Sequence, residues 1–146
     1  MKYDNIYQAK FISRPNRFIA EVEINGKREI AHVKNTGRCK ELLTEGAKVY
    51  VQYLDNPTRK TKYDLISVLK GKELINMDSQ APNKVFAKWV NDGNFIKDIS
   101  LIKPECKYNN SRFDFYIESN ERRIFAEIKG VTLEEDGVCR MSKGRL

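Results

Sequence analysis

Two carboxylates and a lysine in the last third of the chain have types and spacing that suggest chemistry: Asp114, then thirteen positions on Glu127, then Lys129. Residues 111–118 and 123–129 alternate apolar and polar side chains, the period of half-buried strands. With residues 119–122 as their loop, antiparallel pairing makes opposing residue numbers sum to 241. Asp114 then faces Glu127, and Arg112 faces Lys129. Phe113, Phe115, Ile117, Ile124, Ala126 and Ile128 share one side, while Arg112, Asp114, Tyr116, Glu127 and Lys129 share the other. Two carboxylates directly opposite lie about 5 Å apart at Cβ and repel each other. A divalent cation relieves that repulsion, and a hard oxygen donor set suits Mg²⁺ or Mn²⁺. Asp114 and Glu127 are thus the expected metal ligands. Lys129, on the same face, completes a catalytic set by orienting a water or stabilising developing phosphoryl charge. The same side chains also read as a solvated charge lattice. A register slip of one residue would separate them altogether.

The elements that must position this hairpin begin near residue 80. Asp78 or Ser79 is a candidate helix cap, and Pro82-Asn83 opens a segment with Val85, Phe86, Trp89 and Val90 at helical spacing. Trp89 is expected in the core. Asn91-Asp92-Gly93-Asn94 ends the helix with turn residues. Further strands are expected over 99–104 and 131–133. The first half of the chain reads differently, as closely spaced strands over 8–13, 17–24, 28–33, 48–54, 63–69 and 73–76. Asn25-Gly26 is a strong hairpin signal between the second and third. That density suggests a small closed or partly closed barrel. The expected architecture is α+β: a barrel over residues 1–80, then an α/β unit over residues 81–146.

Composition narrows the function classes. The 146 residues carry a formal net charge of +7, with 40% hydrophobic side chains, enough for a packed core and too many for a disordered chain. No run of about 18 apolar residues offers a membrane-spanning helix, and the first residues lack the apolar stretch of a secretory signal, so a cytoplasmic location is expected. Cys39, Cys106 and Cys139 are odd in number and far apart, against a disulfide framework or a closed zinc site. The basic balance points to an anionic partner, of which nucleic acid is the commonest, although it also serves solubility. Lys34, Arg38, Lys40, Arg59, Lys60 and Lys62 lie in or near the expected barrel loops, with Tyr50, Tyr53 and Tyr63 on adjacent strands. That basic-plus-aromatic dressing suits a nucleic-acid-binding barrel. Asn35-Thr36-Gly37-Arg38 reads either as backbone N–H groups and a cation presented to a phosphate or as an ordinary Gly-containing connection. His32, the single histidine, reads as a turn or surface residue.

Several of these pieces together resemble one family. Asp114 followed by Glu127-Ile128-Lys129 resembles the metal signature of PD-(D/E)XK nucleases. The wider set is more specific: His32 with Asn35-Thr36-Gly37, Asp55-Asn56-Pro57, Arg59-Lys60, Pro82-Asn83, Ser111-Arg112-Phe113-Asp114-Phe115, and Glu127-Ile128-Lys129-Gly130-Val131-Thr132-Leu133. Over residues 4 to 138, in order, it resembles the sugar fermentation stimulation protein family (SfsA). The resemblance implies an OB-fold-like barrel followed by a nuclease-like domain, DNA binding, and a link to control of sugar utilisation. It also implies that Asp114, Glu127 and Lys129 sit at a metal site. The residues after Val138 depart from the family pattern, where a Phe-Pro-Asp-Ala stretch, an Arg-Gly motif and several helices are expected. The nuclease-like domain is therefore expected to be incomplete. Three readings follow: a protein binding duplex DNA by charge, a Mg²⁺- or Mn²⁺-dependent DNA phosphodiesterase, or a truncated and inactive product.

Overall fold

The computed structural model describes residues 1–120 and 122–140. It divides into two compact units, residues 80–130 and Lys2–Ser79 with the described residues from Val131 onward. The sequence expectation places that last segment with residues 81–130 instead. Its return to the barrel unit includes an approach of Cys39 Sγ to Thr132 Oγ1 at 3.9 Å.

The barrel unit is built from strands whose apolar residues alternate inward. β1 (Ile6–Asn16) is long and bulged, pairing along its first half with β4 (Lys48–Tyr53) and along its second with β2 (Ile19–Ile24). One strand shared between two neighbours in this way lets a small sheet curl. Asn25 and Gly26 both take positive φ, 50° and 77°, the backbone of a type I′ hairpin turn. They join β2 to β3 (Lys27–His32) as the dipeptide predicts. β5 (Tyr63–Lys70) pairs antiparallel with β4 and parallel with β3 through Ala31↔Tyr63 and His32↔Asp64. The ring therefore runs β1-β2-β3-β5-β4-β1, the strand order of an OB-type barrel. β6 (Glu73–Asn76) adds to the outside of β5. Inside lie Ala9, Phe11, Ala20, Val22, Val49, Val51, Leu65 and Val68, joined by Leu42, Leu43 and Met77. Burying each Val or Leu side chain contributes roughly 1.5–3 kcal/mol. The segment 131–133 is not a strand; a short hairpin of β10 (Glu134–Glu135) and β11 (Val138–Cys139) follows it.

The second unit sets one helix, α1 (Ala81–Asn91), against a three-stranded antiparallel sheet of β7 (Ile99–Tyr108), β8 (Ser111–Ser119) and β9 (Arg122–Ala126). The first turn of α1 holds Pro82, which needs no N–H partner there. Neither candidate cap acts as one. Gln80 is the N-cap residue and makes no side-chain cap bond. Ser79 Oγ instead donates to the Lys34 carbonyl, and Asp78 is buried in ion pairs. Val90, Phe115 and Ile117 form the centre of this core, with Phe86, Ala87, Ile124, Ala126 and Ile128 packed around them. Trp89 is not core: it is 43% exposed, with its ring tilted against those of Phe86 and Phe95.

The expected hairpin register is observed, with Phe115↔Ala126, Tyr116↔Phe125 and Ile117↔Ile124. Regular pairing stops at Phe115↔Ala126, one step before Asp114 and Glu127. The alternation also breaks there. Alternation places Phe113 among the core residues, yet it packs on Phe125, away from Phe115 and α1. The neighbouring strand is irregular at the same level. Glu105, opposite Asp114 between the pairs Pro104↔Phe115 and Cys106↔Phe113, takes φ 51°. A left-handed residue rotates the strand and re-aims the side chains that follow.

Candidate functional site

Asp114, Glu127 and Lys129 share one end of the second unit's sheet, where β9 has ended and the ladder no longer supplies partners. Asp114 serves in their place. Its Oδ2 accepts the Ile128 N–H at 2.7 Å, and its Oδ1 accepts Asn83 Nδ2 from the first turn of α1 at 3.0 Å. The carboxylate is thereby fixed in orientation, and each oxygen keeps a lone pair for a further partner. Glu127 does not face it as a bare like charge: Lys129 Nζ donates to Glu127 Oε1. That hydrogen bond, reinforced by the charges of Glu127 and Asp114, pushes the Lys129 ammonium's pKa up. Both Glu127 and Lys129 are exposed, at 44% and 57% of their side chains, so their pairing is in water and rearranges readily. Gly130 follows because Pro82 is close: a Cβ at Gly130 would stand 2.8 Å from Pro82 Cγ. The start of α1 is thus pressed against the strand end that carries these three residues. Asn83, which the sequence reading takes as a helix start and as part of the family resemblance but not as a site residue, is the one it misses here. Among the described residues no group of three or more His, Cys, Asp or Glu side chains could hold a metal ion. Asp114 and Glu127 remain a two-oxygen donor pair, which suits an ion that keeps most of its waters.

The barrel cations divide into two groups. Lys34 and Arg59, expected as nucleic-acid ligands, instead neutralise buried carboxylates. Lys34 Nζ lies 3.2 Å from Asp64 Oδ2 and 3.5 Å from Asp78 Oδ2, and the Arg59 guanidinium pairs with Asp64 Oδ1. Asp64 and Asp78 are 1% and 2% exposed, and charges so buried require counterions. Tyr3 Oη donates to Asp78 at 3.0 Å, and burial above all, with the Asp78 carboxylate adding to it, raises the phenol's pKa. His32 Nδ1 is buried without a hydrogen-bond partner, 3.7 Å from Asp64 Oδ1. A lone Asp in the apolar run Asp64-Leu65-Ile66-Ser67-Val68 is the available signal for this network. The second group, Arg38, Lys40, Lys60 and Lys62, lies toward solvent. The β3–β4 connection that carries Arg38 is shaped from within by Arg14, whose guanidinium donates to the carbonyls of Asn35, Gly37 and Arg38 at 2.7–2.8 Å. Gly37 N–H is taken by Asn35 Oδ1, so this turn is internally bonded and not an open anion nest. The ion pairs of Lys34 and Arg59 on Asp64 tie that connection to the β4–β5 loop bearing Lys60 and Lys62.

Comparison with known proteins also divides the chain near residue 80, and it keeps residues 131–141 with the second domain, as the sequence expectation has it. Residues 12–77 match the SfsA N-terminal OB domain, and residues 80–141 match the Sugar fermentation stimulation protein RE domain. The chain belongs to the sugar fermentation stimulation protein family. Among curated members, the Clostridium beijerinckii homolog is 61% identical over 140 residues, covering 96% of this chain and 62% of that protein. The Ruminiclostridium cellulolyticum homolog is 62% identical over 139 residues, covering 95% of this chain and 62% of that protein. The chain therefore spans about three-fifths of the length of the curated family members it matches. Among solved structures, Pyrococcus furiosus SfsA in complex with Ca²⁺ superposes with a TM-score of 0.82 at 28% identity, over 92% of this chain and 58% of that one. No helix among the described residues is long and apolar enough to cross a membrane.

Proposed function

We propose that this family member binds duplex DNA through the loops of its barrel unit, in a cytoplasmic setting and in the service of sugar utilisation. The observation that carries this reading is the solvent-facing set Arg38, Lys40, Lys60 and Lys62 on two loops that Lys34 and Arg59 tie together at buried Asp64. The β4–β5 loop is one of the loops through which OB-type barrels take oligonucleotides. Four cations held near one another release counterions from a phosphate backbone, so affinity is electrostatic and depends steeply on salt. Fluorescence anisotropy of a labelled duplex between about 50 and 200 mM salt tests it. Replacing Arg38, Lys60 and Lys62 together by Ala flattens the logarithmic salt slope by about 0.9 for each phosphate given up. An unchanged slope removes the barrel from the account.

A second reading concerns the second unit, taken as a PD-(D/E)XK-like domain. What favours it is the fixed orientation of Asp114 by Asn83 and the Ile128 N–H, with Glu127 and Lys129 alongside. The Pyrococcus furiosus relative's complex with Ca²⁺ adds weight to a divalent cation here. Asp114 and Glu127 would hold Mg²⁺ or Mn²⁺, which supplies Lewis acidity toward a phosphoryl oxygen when bound. Lys129, released from Glu127, then presents its ammonium to phosphate charge, while Asn83 keeps Asp114 in place. Two protein oxygens make for weak binding and slow or absent turnover. Thermal denaturation with and without millimolar Mn²⁺ tests the site, since an ion that binds only the folded chain raises the midpoint. The rise is expected in the parent and reduced in Asp114→Asn and Glu127→Gln; no rise in the parent ends the reading.

A further inference from the structure

The face of the β7–β8–β9 sheet turned away from α1 has aromatic side chains that neither the Asp114 site nor the barrel reading uses. Four aromatic rings gather there around Phe125, with Tyr108, Phe113 and Tyr116 at centroid distances of 4.8, 5.1 and 5.1 Å. Tyr108 is 55% exposed. Tyr108, Tyr116 and Phe125 line an open groove of about 580 Å³ together with Lys103, Lys107 and Arg123. All three cations are exposed, and none is paired with a carboxylate among the described residues. Glu118 at the edge accepts the Tyr116 hydroxyl, a bond that raises the phenol's pKa and keeps it protonated.

We infer that this aromatic, cation-rimmed sheet face binds single-stranded nucleic acid by stacking unpaired bases on Tyr108 and Phe125 while Lys103, Lys107 and Arg123 take the phosphates. A second copy of the chain is disfavoured as occupant, because it would bring a second set of like cations onto the same face. A duplex presents its bases edge-on and offers no π-face to stack. Unpaired bases match both features: every base has a π-face for the rings, and the strand carries charge opposite to the rim. Phe113 joins the platform beside Phe125. This face belongs to a different unit from the barrel loops, and its chemistry does not depend on theirs.

The test uses the full chain carrying Arg38→Ala, Lys60→Ala and Lys62→Ala, so that barrel binding is suppressed. Labelled oligothymidylate, oligouridylate and a duplex of equal length are titrated by anisotropy, the first two arms distinguishing DNA from RNA. The expected result is that at least one single strand binds more tightly than the duplex. Tyr108→Ala should weaken that binding roughly ten-fold, with Tyr108→Phe restoring it. Lys107→Ala with Arg123→Ala should lower the salt slope by about 0.7 for each cation removed and serves as a second probe that leaves the rings intact. Single strands that bind no better than duplex, or binding untouched by Tyr108→Ala and by the cation pair, would overturn it. So would concentration-dependent self-association that Tyr108→Ala abolishes in a chain without strand binding.

Discussion

Replacing Lys34 by Met removes the cation shared by two buried carboxylates while keeping most of the length of the apolar stem. The Lys34 side chain is 17% exposed and both carboxylates are buried, so solvent cannot take over the neutralisation without opening the barrel end. Breaking a buried pair by removing one partner costs about 3–5 kcal/mol. Asp64 keeps Arg59 and Asp78 keeps the Tyr3 hydroxyl, which holds the loss to the lower end, about 3 kcal/mol. For a unit of this size each kcal/mol moves the thermal midpoint by roughly 4–8 °C, so the barrel transition should fall by roughly 12–24 °C. The assay is thermal and urea denaturation, completed by a double-mutant cycle with Asp78→Asn. Neutralising Asp78 should cost less in the Lys34→Met background than in the parent, with a coupling of about 1–3 kcal/mol. A Lys34→Met chain within about 0.5 kcal/mol of the parent would behave as a surface substitution. It would refute the structural role and return Lys34 to the pool of phosphate ligands.

The remaining predictions concern the second unit and the thiols. Asp114→Ala strands the Ile128 N–H and Asn83 Nδ2, and should destabilise the second unit by about 1–3 kcal/mol, read by amide exchange at Ile128. Ile117→Ala, at a side chain with no exposure, should cost about 2–5 kcal/mol in urea denaturation. Lys129 stays charged above the usual lysine range because Glu127 accepts its hydrogen bond; Glu127→Gln should bring its titration, followed by NMR, back down. Burial pushes the Cys39 thiol pKa up, so alkylation near pH 8 should label exposed Cys139 first and Cys39 last; early labelling of Cys39 would contradict its packing.

Much of the local structure is legible in the chain because it depends on near neighbours. Asn25-Gly26 dictates its hairpin, since both residues accept positive φ. The register of β8 on β9 follows from a short loop between two alternating segments. The barrel is legible from strand density, although its closure rests on two residue pairs, Ala31↔Tyr63 and His32↔Asp64, that no local pattern announces. The site residues are legible as types and not as partners. Whether a lysine meets phosphate or carboxylate depends on which strand closes over it, and Lys34 and Arg59 meet Asp64 because β5 brings that carboxylate between their loops. Asp114 points to Asn83 on α1 and to the Ile128 N–H, partners that strand alternation does not announce. Residue chemistry and short-range periodicity are properties of the sequence alone. The counterion of a buried charge and the partners of a carboxylate at a strand end are set by residues distant in the chain, so only the tertiary structure decides them.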